Sequence, residues 1–256
     1  MLLAIDIGNT NITLGCYKNG ELLFVSRLFS LRHKSSDEFA INLYDIFRLY
    51  NVQTDSFSGA IIGSVVPELT DALARAVETV TNIKPLIVGE QYNGELKIDV
   101  LPVSQLGADL IAGSIGAIEK YPLPCIVADL GTATKLIVVD ENGYFIGCTI
   151  SPGVKISLDA LAKNASLLPS INFAKPEKVI GSNSVDCMQS GIVFGTASML
   201  DGLSKRIINE TGFKNATLIA TGGYSKGIIP CCEQSFIYDE NLILDGLKVI
   251  YEKAKQ

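Results

Sequence analysis

Two stretches of this chain repeat one another at a fixed spacing, and that repeat restricts the fold more than any other feature. Asp6-Ile7-Gly8-Asn9-Thr10-Asn11-Ile12-Thr13 runs on to Asn19-Gly20, and Asp129-Leu130-Gly131-Thr132-Ala133-Thr134 runs on to Asn142-Gly143. The aspartates lie 123 residues apart (129 − 6), close to half of the 256-residue chain. The same offset lays Gly8 on Gly131 and one Asn-Gly pair on the other without a gap. Several coincidences at one offset point to duplication, and so to two lobes of one plan.

Each copy reads as a short apolar strand (Leu2 to Ile5; Cys125 to Ala128), a turn, a second strand, an Asn-Gly hairpin turn and a third strand. Helical patterns follow at Asp37 to Leu49, from Pro67, and over 104–118, with strands at Ala60 to Gly63 and Pro85 to Val88. The second half predicts helices at Val154 to Ala162, Met188 to Asn209 and after Asn241, with a strand at Ala216 to Ala220. The reading is α/β, with mixed sheets covered by helices. Two prolines in Tyr121-Pro122-Leu123-Pro124 break the helical pattern, which puts the lobes at residues 1–117 and 118–256.

Composition removes several function classes. A net charge of −6 argues against nucleic acid as a partner, since backbone binding needs clustered Lys and Arg. No apolar run approaches the roughly 18 to 20 residues that span a bilayer, and the first residues lack a basic leader, so no membrane is expected and a cytoplasmic location is. The six cysteines form no C-x-x-C pair and read as reduced thiols. A single histidine, His33 in a polar stretch, leaves no material for a Ser/His/Asp triad or a multi-histidine metal site.

The repeated turns carry the chemistry a polyphosphate needs: close backbone N–H groups, hydroxyls, and carboxylates for magnesium. Asp6-x-Gly8-Asn9-Thr10-Asn11 holds all three, although an ordinary hairpin with Asp in its turn accounts for the same residues. Gly131-Thr132-Ala133-Thr134 presents small residues and hydroxyls at the matching turn, and Thr221-Gly222-Gly223 makes a third glycine corner. Neither G-x-x-x-x-G-K-[ST] nor G-x-G-x-x-G occurs. Paired turns of this kind resemble the duplicated actin/hexokinase/Hsp70-like (ribonuclease H-like) fold, in which ATP lies in a cleft between two lobes.

Nearly end to end, the motifs resemble the type III pantothenate kinases, which phosphorylate the primary hydroxyl of pantothenate in the first step of coenzyme A biosynthesis. The resemblance rests on Asp6 to Asn11, Ser64-Val65-Val66-Pro67, Gly107-Ala108-Asp109, Asp129 to Thr134, Ile150-Ser151-Pro152-Gly153, Gln189-Ser190-Gly191 and Thr221-Gly222-Gly223. It implies ATP contacts from Asp6, Ile7, Gly8, Asn9, Thr10, Asn11, Ile12, Thr13 and Thr132. Asp6 would reach Mg²⁺ through water, Asp129 would hold a monovalent cation (K⁺ or NH₄⁺), and Asp109 would be the catalytic base. Asp109 falls in the first turn of a helix, where the dipole favours negative charge, so a helix-start acid without catalytic duty also explains it. The acceptor would be held by Val100, Gly107, Ala108, Asp109, Leu110 and Ser184, the last on a loop that closes the pocket of the partner in a homodimer.

Four positions depart from the family pattern. Leu110 stands where an arginine is usual, and Val100 where a tyrosine is; Asn183-Ser184 replaces Asn-Thr, and Lys135 replaces a threonine. Lys135 points either at phosphate or at solvent, and an ordinary exposed lysine is the expectation. Loss of a guanidinium weakens the case for an anionic acceptor. The expected function is ATP-dependent phosphorylation of pantothenate to 4′-phosphopantothenate. A kinase of the same fold acting on another small alcohol, or an inactive nucleotide-binding regulatory homologue, stay open beside it.

Overall fold

The computed structural model describes residues 1–89, 92–99 and 106–255. The chain divides into two units, Met1–Glu119 with Leu242–Gln256, and Lys120–Asn241.

Unit 1 begins with β1 (Leu2–Ile7), β2 (Asn11–Lys18) and β3 (Glu21–Phe29). It continues through α1 (Ser36–Leu49), β4 (Gly59–Ser64), α2 (Pro67–Thr81), the two-residue strands β5 (Leu86–Ile87) and β6 (Lys97–Ile98), and α3 (Ala108–Lys120). Its sheet order is β3-β2-β1-β4-β5. β1 pairs antiparallel with β2 and parallel with β4. As the central strand, β1 buries Leu3, Ala4, Ile5 and Ile7 completely, which its unbroken apolar run demands. Each such Leu or Ile contributes about 1.5–3 kcal/mol by leaving water. α1 starts where Ser35 and Glu38 form a reciprocal capping box, and α2 carries Pro67 in its first turn.

Unit 2 comprises β7 (Cys125–Leu130), β8 (Ala133–Val139), β9 (Tyr144–Pro152), α4 (Val154–Asn164), α5 (Ser184–Thr211), β10 (Thr217–Thr221), α6 (Ser225–Ile228) and β11 (Ile237–Tyr238). These strands lie in the order β11-β10-β7-β8-β9, the arrangement of unit 1 over again. β7 is antiparallel to β8 and parallel to β10, as β1 is to β2 and β4. Shifting β1 and β3 by 123 residues reproduces the bounds of β7 and β9. Even the bulge repeats: pairing skips Leu23 on β3 and Ile146 on β9, which are 123 residues apart (146 − 23).

The middle strand breaks the rule. Thr13 faces Asp6, yet Lys135 faces Asp129, an offset of 122 (135 − 13). The turn after β7 is one residue shorter than the turn after β1: Leu130 pairs with Thr134, whereas Ile7 pairs with Ile12. The lost residue returns at the far hairpin. Asn19 and Gly20 both take positive φ in a two-residue turn, while the second Asn-Gly sits in a longer loop held by Asp140, whose carboxylate accepts from the Asn142 and Tyr144 amides. A gapless match in sequence thus conceals a one-residue slip, and such a slip exchanges the faces of a strand.

The closing helix α7 (Leu242–Lys253) belongs to unit 1, so the chain leaves that unit at the end of α3 and returns at Leu242, whereas a single division at 117/118 assigns α7 to the second lobe. Two glycines allow the return. A Cβ on Gly116 of α3 would stand 2.4 Å from the Leu242 carbonyl oxygen, and one on Gly246 of α7 would stand 1.9 Å from that of Ala112. Tyr17 on β2 also donates to Asp245 at 2.8 Å.

Candidate functional site

In unit 1 the candidate residues gather at the carboxyl end of β1. Asp6 is the penultimate residue of the strand and half-buried; Gly8, Asn9 and Thr10 form the turn, closed by the Gly8 amide donating to the Asn11 carbonyl at 3.0 Å. A Cβ on Gly8 would lie 3.1 Å from that same carbonyl, so small size rather than an unusual φ is what the position asks for. The side chains of Ile7 and Ile12 are fully buried in the core of the unit, which leaves only their main chain for a nucleotide. Asn9, Thr10 and Asn11 are exposed, and Thr13 is half-buried opposite Asp6.

Ser30, just past β3, holds this turn from outside: its hydroxyl donates to the Gly8 carbonyl at 2.6 Å and its amide to that of Thr10 at 3.0 Å. Nothing local in the sequence marks Ser30, because its partners are 22 and 20 residues away.

A second corner abuts the first. After β4, the Val65 amide donates to the Ile7 carbonyl at 3.0 Å, and the Ser64 hydroxyl accepts from the Val66 amide at 3.1 Å and from Thr70 Oγ1 at 2.8 Å. Gly107 follows in close packing, since a Cβ there would fall 3.2 Å from Val65 Cγ1 and 2.7 Å from Asp109 Oδ1. The Gly107 carbonyl accepts from the Leu110 and Ile111 amides and so opens α3, with Asp109 in the first turn and its Oδ1 accepting from the Leu110 amide at 2.8 Å. A chain of contacts therefore links the strand end of Asp6 to the helix start of Asp109 through Val65.

Ala108 and Leu110 point inward, at 4% and 7% exposure. An aliphatic side chain at 110 packs; it offers no polar contact. Val100 lies outside the described residues. Ser184 is not on a loop but is the first residue of α5, exposed, because Asn183 accepts from the Asp186 amide at 3.0 Å and caps the helix. That cap starts α5 four residues ahead of the predicted Met188.

In unit 2 the matching turn is drawn tight by neighbouring glycines. The Gly131 amide donates to the Ala133 carbonyl at 3.1 Å. A Cβ on Gly153, ahead of α4, would stand 2.2 Å from the Thr132 carbonyl oxygen. Gly222, at φ +92°, passes so near the end of β7 that a Cβ would lie 2.7 Å from Asp129 Oδ1. The third glycine corner is thus a requirement of packing and of backbone conformation together. Thr132 is half-buried.

Lys135 is the residue whose position the sequence missed. Its ammonium lies 2.9 Å from Asp129 Oδ2, both side chains being 12% exposed, so it is a largely buried, paired lysine and not an exposed one. The signal was hidden by the register slip, which sets 135 directly opposite 129.

Other groups stay outside the site. His33 is exposed, and no cluster of three or more His, Cys, Asp or Glu side chains suited to a metal occurs among the described residues. Burial pushes the Cys16 thiol up to about 11 and those of Cys125 and Cys232 up to about 12. Thiolate chemistry near neutral pH is therefore closed to these three.

Comparison with known proteins gives the family and the fold. A family model described as type III pantothenate kinase matches residues 2–206. The chain is 39% identical to a type III pantothenate kinase of Finegoldia magna over 100% of its own length and 98% of that protein, and 39% identical to one of Shouchella clausii with 99% of each covered. Among solved structures it resembles an activator of 2-hydroxyisocaproyl-CoA dehydratase from Clostridium difficile with bound ADPNP, at a TM-score of 0.60 and 14% identity, with 99% and 96% of the chains covered. A putative 2-dehydro-3-deoxygalactonokinase from Sinorhizobium meliloti gives a TM-score of 0.58 at 11% identity, with 98% and 96% covered. At such identities the likeness is one of fold, the duplicated actin/hexokinase/Hsp70-like α/β fold.

Proposed function

As this chain belongs to the type III pantothenate kinase family, we propose that it transfers the γ-phosphoryl group of ATP to the primary hydroxyl of pantothenate, giving 4′-phosphopantothenate and ADP. The observation that supports the proposal is the pair of corners that meet at Val65: its amide donates to the Ile7 carbonyl at the end of β1, and Gly107, which precedes Asp109 at the start of α3, packs near its side chain.

Phosphoryl transfer asks a protein chiefly for positioning and charge neutralisation. The amides of Gly8 to Asn11 and the hydroxyls of Thr10 and Thr13 hold the phosphates. Magnesium favours one or two carboxylates together with substrate phosphates and waters, a demand that Asp6 at the head of the turn fits. When bound it offsets the charge of the triphosphate. Asp109 accepts the proton of the attacking hydroxyl while that oxygen bonds to the γ-phosphorus and the bond to the ADP oxygen breaks. A weak base suffices, since the hydroxyl has only to be oriented.

A homodimer and a cytoplasmic location come with the same reading. Exposed Leu167, Val179 and Ile180 support a partner surface on unit 2, and no helix among the described residues is long and apolar enough to cross a membrane. Light scattering on the purified protein decides the oligomeric state.

Buried Leu110 favours a second acceptor as the alternative, because a pocket without that guanidinium is less suited to a carboxylate. Release of ADP, with and without pantothenate and across a panel of small alcohols, tests both readings. Pantothenate-dependent ADP release with a product heavier by one phosphate supports the first; release with another alcohol alone replaces it with the second.

A further inference from the structure

We propose that Lys135 is a built-in monovalent cation: its ammonium occupies the place at Asp129 that the family resemblance assigns to K⁺ or NH₄⁺, and the chain works without either ion. The proposal deepens the kinase reading and rests on it.

The donor set at Asp129 does not fit a second cation. Oδ2 already meets the Lys135 ammonium at 2.9 Å, and both side chains are largely removed from water. An added potassium ion would share one carboxylate with an ammonium a few ångströms away, in surroundings that screen like charges poorly. The backbone fixes the arrangement. Asp129 and Lys135 are directly opposite in the antiparallel pairing of β7 and β8, where neighbouring side chains on one face meet. In unit 1 the corresponding pair is Asp6 and Thr13, so the lysine is particular to the second copy.

Chemistry makes the exchange reasonable. A lysine ammonium carries the same single charge as K⁺ or NH₄⁺ and likewise seeks oxygen, with three N–H donors. Tethered across one strand pair, it acts at an effective concentration in the millimolar range or above, with no dependence on the salt outside.

The test uses the full chain exchanged into choline chloride. ADP release with Mg·ATP and pantothenate is followed while potassium is raised to about 100 mM at constant ionic strength, so that screening does not change. The parent's rate is expected to stay within about twofold across the series, and Lys135→Thr to fall by about tenfold or more in choline and to recover with potassium. Lys135→Arg, which keeps the charge, is expected to remain potassium-independent. Thermal unfolding of the substrate-free proteins gives a second readout: potassium raises the midpoint of Lys135→Thr and leaves that of the parent unchanged.

A parent rate that climbs saturably with potassium overturns the proposal while leaving the kinase reading intact. So does a loss in Lys135→Thr that potassium does not restore, which makes the lysine a phosphate ligand. Should no acceptor be phosphorylated in any salt, the kinase reading fails by itself, and the unfolding midpoints still decide whether Lys135 excludes potassium. The parent's own titration needs no variant to fold.

Discussion

Gly246 of α7 lies against the backbone of Ala112 in α3, so close that a Cβ would stand 1.9 Å from the Ala112 carbonyl oxygen. The approach is reciprocal, since Gly116 of α3 has the Leu242 carbonyl equally in its way, at 2.4 Å. Neither obstacle is the flexible end of a side chain. Gly246→Ala is therefore expected to separate α7 from α3 and to cost about 3 kcal/mol or more, at the upper end for overpacking. Gly202→Ala in α5, with open space at its Cβ, is the control and should be neutral or stabilising. Urea unfolding of both variants checks this, and equal midpoints would contradict the packing.

Asp109→Asn keeps the shape of the first turn of α3 and removes the proton acceptor. We expect kcat to fall by about 10²–10⁴-fold, the usual worth of a general base, with ATP affinity nearly unchanged. Single-turnover kinetics alongside nucleotide titration separate the two quantities. A variant as fast as the parent would return Asp109 to the role of a helix-start acid.

Gly222→Ala combines a strained φ with a clash against Asp129 and Leu130. The strain alone costs about 1–3 kcal/mol, and relief requires the end of β7 to move. Activity is expected to drop more steeply than stability, because the displaced strand end carries Asp129. Neighbouring Gly223 has nothing near its Cβ, so Gly223→Ala should be tolerated. Measured kcat/KM and melting midpoints for the two variants make the comparison.

Thiol chemistry offers a pH test. Burial raises Cys16 to about 11 and Cys125 to about 12, while Cys187 is exposed. Alkylation of the native protein at pH 8 should mark Cys187 and spare Cys16 and Cys125, as mass mapping would show; labelling of Cys125 at the rate of Cys187 would contradict its burial. Stability has a definite sign here. The folded pKa values lie above the ordinary 9.0, so this contribution is fully present below pH 9 and is lost as the pH climbs towards 11 and 12, where the unfolded thiols ionise first. Denaturant midpoints should decline over that window.

Much of the local structure that carries the candidate residues was legible beforehand because its signals are short-range. The Asp-x-Gly turns, the Asn-Gly hairpins and the proline-led α2 are short-range patterns, and each element they predict appears in the fold. Ser30 and Lys135 were not legible as site residues. Ser30 acts on carbonyls some 20 positions away. Lys135 depends on which residue of β8 faces Asp129, and the gapless repeat pointed to the wrong neighbour by one.

The sequence by itself determined the doubling, the strand and helix content, and the kinds of side chain at each turn, since apolar runs and turn residues act on their nearest neighbours. The tertiary structure alone decided that α7 returns to unit 1 and that Lys135 meets Asp129. Helix return rests on two missing Cβ atoms, in α3 and α7, far apart along the chain. The ion pair rests on strand register, where a single residue reverses the face a side chain takes.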